Sequence, residues 1–374
     1  MPLRGELLSD LAALERLHAR WDALAVSGSR PYCAPAWMLA WWRHAAPPGA
    51  LLRTAAAFDG DDLVGIAPFW AAPRRRGARY RILAAGTAAR LEPVAEAGRE
   101  KEAAVAFAEA LAGAQPRPAL FRFEQVPADS PWPGLLAAAW PGGAARVARD
   151  EPVPAPTAQL GQGSFEAWLG SKSSNFRQQV RRTRRKLDAA GARFRLTKDV
   201  QELATDLRAF SALHHARWRE RGGSAALSPE LERMLEDAGA ELLTAGRFRL
   251  WSLDAEGETI SSQLFVAAGG EVAYWLGGFD ERWAGQRPAL QTLVAAIEDA
   301  FARGDARADL GPGGQDYKYR LADGEDTLVT VDIVPRGRAY ALTRLELRAR
   351  RGARVAARRV PPGARARLRA LVRR

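Results

Sequence analysis

The chain has 374 residues, 47% apolar and 26% charged, the balance of a soluble globular protein long enough for two domains of ordinary size. No apolar run approaches the roughly 20 residues that span a bilayer, and the N-terminus MPLRGELLSDLAALERL carries acids where a signal peptide has its apolar core, so a cytoplasmic protein is expected. A single cysteine, Cys33, excludes an internal disulfide and any multi-cysteine metal site, and four histidines leave little scope for zinc, so no metal is expected.

The net charge of +12 is local. Twelve arginines and one acid, Glu346, lie between Arg344 and Arg374, while the body of the chain is close to neutral. Arginine outnumbers lysine fifty to five throughout, which reads as coding bias more than as a phosphate-binding surface, and DNA is not an expected partner.

In chain order, Leu7, Leu11, Leu14, Leu17, Trp21 and Leu24 predict an opening amphipathic helix. Trp37, Met38, Trp41 and Trp42 crowd the next short helix, as core or as the lining of a groove. Leu51 to Trp70 reads as a hairpin turning at Asp59 to Asp62; a basic loop, Pro73 to Arg79, follows. A strand near 81–84, a helix near 100–111 and a strand at 120–124 come next, and the Pro/Ala/Gly-rich stretch 144–162 is expected to be a domain boundary.

The second half begins with a short helix carrying Phe165, Trp168 and Leu169. In SKSSNFRQQVRRTRRKLDAAG, Phe176, Val180, Thr183 and Leu187 form one helical face and arginines cover the others, as a solvated surface or as a clamp for an acidic substrate, phosphate or RNA. A helix through Leu203, Leu207 and Phe210 reaches His214 and His215, a pair open to a structural or a general-base role. A helix from Pro229 precedes a second hairpin, LDAEGETISSQLF, whose resemblance to FDGDDLVGIAPFW hints at internal duplication. EVAYWLGGF is then a strand, a loop follows, and a helix starts at Pro288 with Leu290, Leu293, Val294, Ile297 and Phe301 in one stripe. Such a helix start suits a phosphate or pyrophosphate. A short strand at 307–310, the glycine-rich GPGGQDYKYRL, a closing strand at 328–334 and a helical, Arg-rich tail broken at Pro361-Pro362 complete the chain.

On these residues the second half resembles the GCN5-related N-acetyltransferase (GNAT) superfamily, and more narrowly the BioF2-like or CelD-like acetyltransferases, which are similar to the FemAB peptidyl transferases. The resemblance rests on Ser174, Asn175, Arg177, Arg181 and Arg182, on His214, Arg217-Trp218 and Arg221-Gly222, on Gly278, Asp280 and Pro288 to Leu290, and on Asp309, Gly311, Tyr317 and Lys318. Pro35 to Trp37 and Asp59 to Pro68 extend it to the first half. It implies an α/β (α+β) fold of tandem GNAT-like domains, each a mostly antiparallel sheet flanked by helices: 1–155, degenerate and structural or on the acceptor side, 160–343, catalytic, and the Arg-rich tail 344–374.

The resemblance further implies an acyl-CoA pyrophosphate on backbone N–H groups of a Q/R-x-x-G-x-G/A loop. Arg282-Trp283-Ala284-Gly285-Gln286 fits its first part, but Arg287 stands at the last small position, with Ala289 as a register-shifted substitute. A bulged strand at Leu276, Gly277 and Gly278 would polarise the acyl carbonyl. Acyl transfer to an amine needs a base and an acid: Tyr317 or Tyr319 is the candidate acid, and Asp280, Asp316 or His215 the candidate base. Lys318, Arg177, Arg181 and Trp218 are candidate substrate contacts, Lys318 alternatively pairing with Asp316 or Asp280. The expected acceptor is a small-molecule or glycan amine of envelope or polysaccharide metabolism. The alternatives are an aminoacyl-tRNA donor, for which the cationic helix and tail supply a footprint, and a non-catalytic accessory protein held by its tail at an anionic inner-membrane surface.

Overall fold

Strand Glu258–Ala268 is buried along almost its whole length, and because side chains alternate along a strand it feeds two cores. Leu264 and Val266 pack with Leu203, Leu207, Phe210 and Met234 of helices Val200–Arg219 and Pro229–Thr244. Phe265 and Ala267 pack with Phe176, Val180, Leu293 and Ile297 of helices Ser174–Ala189 and Pro288–Ala302. The result is a helix, sheet, helix sandwich, in a computed structural model that describes residues 2–359 apart from 144, 162, 220–223, 225 and 338.

The sheet itself has twelve strands and runs through both halves of the chain. Its order is Arg193–Leu196, Phe248–Ala255, Glu258–Ala268, Glu271–Phe279, Arg307–Asp309, Val153–Gln159, Gly324–Val334, Pro118–Pro127, Gly77–Ile82, Phe69–Arg74 and Leu51–Leu52, with Arg146–Arg149 also pairing on Gly324–Val334. A second sheet of four strands, Arg4–Leu8, Thr54–Asp59, Asp62–Ala67 and Val94–Ala95, belongs to the first half and packs on helix Glu100–Ala112. Neighbouring strands are antiparallel except for two pairs, Glu271–Phe279 with Arg307–Asp309 and Gly77–Ile82 with Pro118–Pro127. Each parallel pair is bridged by a helix, Pro288–Ala302 and Glu100–Ala112 respectively, as a crossover requires. The two hairpins also match in register: each slips by one residue just before its turn, at Ala57/Phe58 and at Leu253/Asp254.

Several local expectations change. The opening helix is a strand, Arg4–Leu8, and two helices, Leu11–Arg16 and His18–Ser27, broken at Leu17. The basic loop 73–79 is the tip of the hairpin Phe69–Arg74 and Gly77–Ile82. Stretch 144–162, expected to hold a domain boundary, carries two strands of the large sheet. Of the two readings of the tryptophan-rich helix, the core one holds: Trp37 and Trp41 are buried. Residues 221 and 222, and the tail from 360 with its Pro361-Pro362 break, lie outside the described residues.

The first half is fastened to the second through strand Glu271–Phe279 and its neighbour. Tyr32 Oη donates to the Ala273 carbonyl (3.0 Å), Trp275 Nε1 donates to the Thr87 carbonyl (2.8 Å), and Trp37 packs edge-on against Trp275. Arg90 reaches across to Asp309 (2.7 Å) and Asp326 (2.9 Å), and Asp309 is fully enclosed. Removing one partner of such a pair strands a buried charge. Arg90→Ala should therefore lower unfolding free energy by about 3–5 kcal/mol, read as the shift in urea midpoint, with Arg90→Lys intermediate.

Candidate active site

The parallel pairing of Glu271–Phe279 with Arg307–Asp309 lasts only from Glu271↔Arg307 to Ala273↔Asp309. Asp309 Oδ1 accepts the Gly311 N–H (3.0 Å), and Gly311 and Gly313, at φ 78° and 102°, turn the chain away in conformations that glycine adopts freely. Strand Glu271–Phe279 continues alone on that side. Its register against Glu258–Ala268 slips between Leu264 and Phe265, leaving Trp275 as a bulge between Tyr274 and Leu276. The two strands thus splay, and the wedge between them opens into a cleft of about 730 Å³.

One wall of the cleft is the bulged strand, with Tyr274, Trp275, Leu276 and Gly277; the start of helix Pro288–Ala302 and the segment Leu310 to Arg320 form the others. Gly277 has no room for a side chain, since a Cβ would lie 1.8 Å from Gln263 Oε1. Gln263 is the hub of this wall: its Nε2 donates to the Gly278 carbonyl (3.3 Å) and Ser261 Oγ (3.2 Å), and its Oε1 accepts from Tyr274 Oη (3.0 Å). Thr292 Oγ1, 3.1 Å from Ser261 Oγ, links this network to the helix. Sequence reasoning missed Gln263; its signal is the polar run Ser261-Ser262-Gln263 inside a strand that is otherwise apolar.

The charge in the cleft has one sign. Arg217, Arg287, Lys318 and Arg320 line it, and no carboxylate does among the described residues. Lys318 is buried, and its Nζ donates to the Gly311 (3.0 Å) and Pro312 (2.8 Å) carbonyls. Burial lowers its pKa to about 8, against the opposing pull of Asp309. Burial also raises the Tyr317 phenol above its usual range.

The cleft gathers Leu276, Gly277, Arg287, Ala289, Tyr317, Lys318 and Trp218 from the expected residues. The others lie elsewhere. Residues 281–286, Glu281–Gln286, form a 3₁₀ helix in which Arg282 is tied to Asp280 (2.6 Å) and Glu258 (2.8 Å), and neither Gly285 nor Gln286 reaches the cleft. Hydrogen bonding from Arg282 lowers the Asp280 pKa, making it a poor base. His215 faces Glu232 (2.9 Å) on the neighbouring helix. Tyr319 and Tyr317, two residues apart on the short helix Asp316–Leu321, point to different sides, and Tyr319 Oη donates to Glu325. Asp316 is exposed outside the cleft, and Lys318 bonds to carbonyls rather than to Asp316 or Asp280. On the basic helix, Arg177 donates to the Gly170 and Lys172 carbonyls and Arg181 lies 3.4 Å from Glu166, so both serve the helix and its neighbour.

Arg287 adopts φ 49° and ψ 52°, the left-handed conformation that glycine takes without strain. Its side chain enters the cleft beside Ala289 and Leu290, whose amides belong to the helix start and have no carbonyl within the helix to bond.

Gly278 sets how closely helix Val200–Arg219 approaches the bulged strand. A Cβ there would lie 2.6 Å from the His214 backbone nitrogen. Gly278→Ala should cost about 1–3 kcal/mol of stability in urea unfolding, while Gly285→Ala, where a Cβ meets nothing within 4 Å, should be close to neutral.

Residues 174–319 match the acetyltransferase (GNAT) domain family, a span containing nearly all of the cleft. In fold the chain is similar to FemX (TM-score 0.62, 12% identity, 85% of this chain and 96% of that one). It is likewise similar to a conserved protein of unknown function from Bacteroides thetaiotaomicron (TM-score 0.55, 10% identity, 88% and 99%) and to L-PGS from Bacillus licheniformis (TM-score 0.54, 12% identity, 89% and 94%). No curated protein matches the sequence. The splayed strands, the bulge and the helix start thus lie within the span, residues 174–319, that matches the acetyltransferase (GNAT) domain, and this domain makes the protein an acyltransferase.

Proposed function

We infer that the protein transfers an acyl group from an acyl-CoA to an amine of a small molecule or glycan. The observation that carries this reading is the cleft's single-signed charge over an apolar floor, which suits a long donor with phosphates at one end. Arg287 and the Ala289 and Leu290 amides would meet the phosphates, and the bulged strand around Leu276 and Gly277 the acyl carbonyl. The amine attacks that carbonyl, the C–N bond forms and the C–S bond breaks.

Lys318 is the proposed base. As a neutral amine its two hydrogens satisfy the Gly311 and Pro312 carbonyls, which leaves the lone pair to accept the proton of the attacking amine. Tyr317, held protonated by burial, would return a proton to the leaving thiolate. Neutral Lys318 grows with pH up to its pKa, so kcat/KM should rise to a plateau above about pH 8. Lys318→Arg, which stays charged, should lose about 10²–10⁴ in rate while retaining donor binding. A flat pH profile, or an active Lys318→Arg enzyme, would reject this assignment.

A second reading, an aminoacyl-tRNA donor, is favoured by the loop before the helix. The Arg282, Trp283 and Arg287 amides already bond to Asp280 Oδ1, the Asp280 carbonyl and the Ala284 carbonyl, so few remain for a pyrophosphate. Thermal denaturation with acetyl-CoA, longer acyl-CoAs and free CoA separates the two. At about 100 times its dissociation constant a CoA donor should stabilise the protein by roughly 2.7 kcal/mol, and the shift should shrink in Arg287→Ala. Absence of a shift with every CoA species, together with retention of charged tRNA, would establish the second reading instead.

A further inference from the structure

The molecule has a second cationic concavity, remote from the cleft. A cavity of about 750 Å³ is lined by Arg76, Arg117 and Arg336 around Trp140 and a group of prolines, with no acid among its described lining residues. Arg76 comes from a hairpin tip, Arg117 from the loop before strand Pro118–Pro127, and Arg336 from the segment after strand Gly324–Val334. All three arginines are exposed.

The helix Tyr340–Arg359 begins one residue past Ala339, the last residue lining this cavity. Its inner side is fixed to the body: Leu347 packs with Leu120 and Val334, and Arg74 pairs with Glu346 (2.9 Å). Leu342 and Leu345 sit one turn apart on the outer side, 41% and 64% exposed. Leu345 lies within, and Leu342 two residues before, the stretch 344–374 that holds twelve arginines and one acid. A helix that binds only a phosphate backbone makes no use of exposed leucines. A helix lying in a lipid interface needs both, the leucines entering the acyl boundary and the arginines meeting headgroup phosphates.

We propose that this end of the protein docks on an anionic membrane surface, with Leu342 and Leu345 inserted and a lipid headgroup phosphate held in the cavity by Arg76, Arg117 and Arg336. The arginine fork matches a phosphate, and Trp140 with the prolines offers an apolar wall to the glycerol and upper acyl chain.

Flotation of the full chain tests this with phosphatidylcholine vesicles and with vesicles that also contain phosphatidylglycerol. Co-flotation is expected only with the anionic vesicles. Leu342→Ser/Leu345→Ser, at exposed sites that leave the fold intact, should weaken it about tenfold, with an unchanged melting temperature and unchanged retention of single-stranded RNA. Arg76→Gln/Arg117→Gln/Arg336→Gln should weaken it about fivefold per charge, and inorganic phosphate should compete only weakly. Failure to float, or flotation indifferent to the leucine pair, overturns the proposal. The latter result, with RNA retained more tightly than vesicles, would make the surface a general polyanion site.

Discussion

The cleft depends on one buried carboxylate. Asp309 ends the short central strand, receives Arg90 from the other half of the chain, and with its second role as acceptor for the Gly311 amide starts the turn that takes the backbone away from strand Glu271–Phe279. The same turn presents the Gly311 and Pro312 carbonyls that hold Lys318. A charge enclosed in protein tolerates few arrangements, because every lone pair must find a donor, and this fixes the turn more firmly than a glycine sequence alone could. The first half, none of whose described residues lines the cleft, thus shapes it through Arg90, Tyr32 and Thr87.

Much of the second half was legible in the sequence because its signals are local. The apolar stripe after Pro288, the hairpin around Glu256-Gly257 and the amphipathic Ser174–Ala189 each follow from spacing within one element. Arg287 was legible too as the odd residue in a place for a small one, and its left-handed backbone is one that glycine adopts most easily.

The rest required contacts between distant residues. Strand Val153–Gln159 was hidden by Pro154 and Pro156, which read as part of a domain boundary. Both prolines lie where the strand's ladder with Gly324–Val334 is made by their neighbours, and both turn their carbonyls toward the Gly311 turn, where Gly313 and Leu310 donate to them. The missing N–H groups lie on the same side as those carbonyls, so the ladder with Gly324–Val334 loses no bond. The chemistry of the candidate site was hard to read for a similar reason. Carboxylates and histidines are conspicuous in a sequence, but Asp280 and His215 are consumed by Arg282 and Glu232, while the unusual property of Lys318 arises only from burial against two carbonyls.

The placement of Val153–Gln159 bears on motion. A strand from the junction between the halves is hydrogen-bonded on one edge to Arg307–Asp309 and on the other to Gly324–Val334, and the latter is in turn bonded to Pro118–Pro127 of the first half. Rotating one half against the other would shear the ladders that Gly324–Val334 makes with Pro118–Pro127 and Arg146–Arg149 of the first half, so the sheet joins the halves as a seam. Access to the cleft must then come from its rim, from the 3₁₀ turn Glu281–Gln286 and the side chains of Trp218 and Tyr317, whose small motions leave the sheet intact.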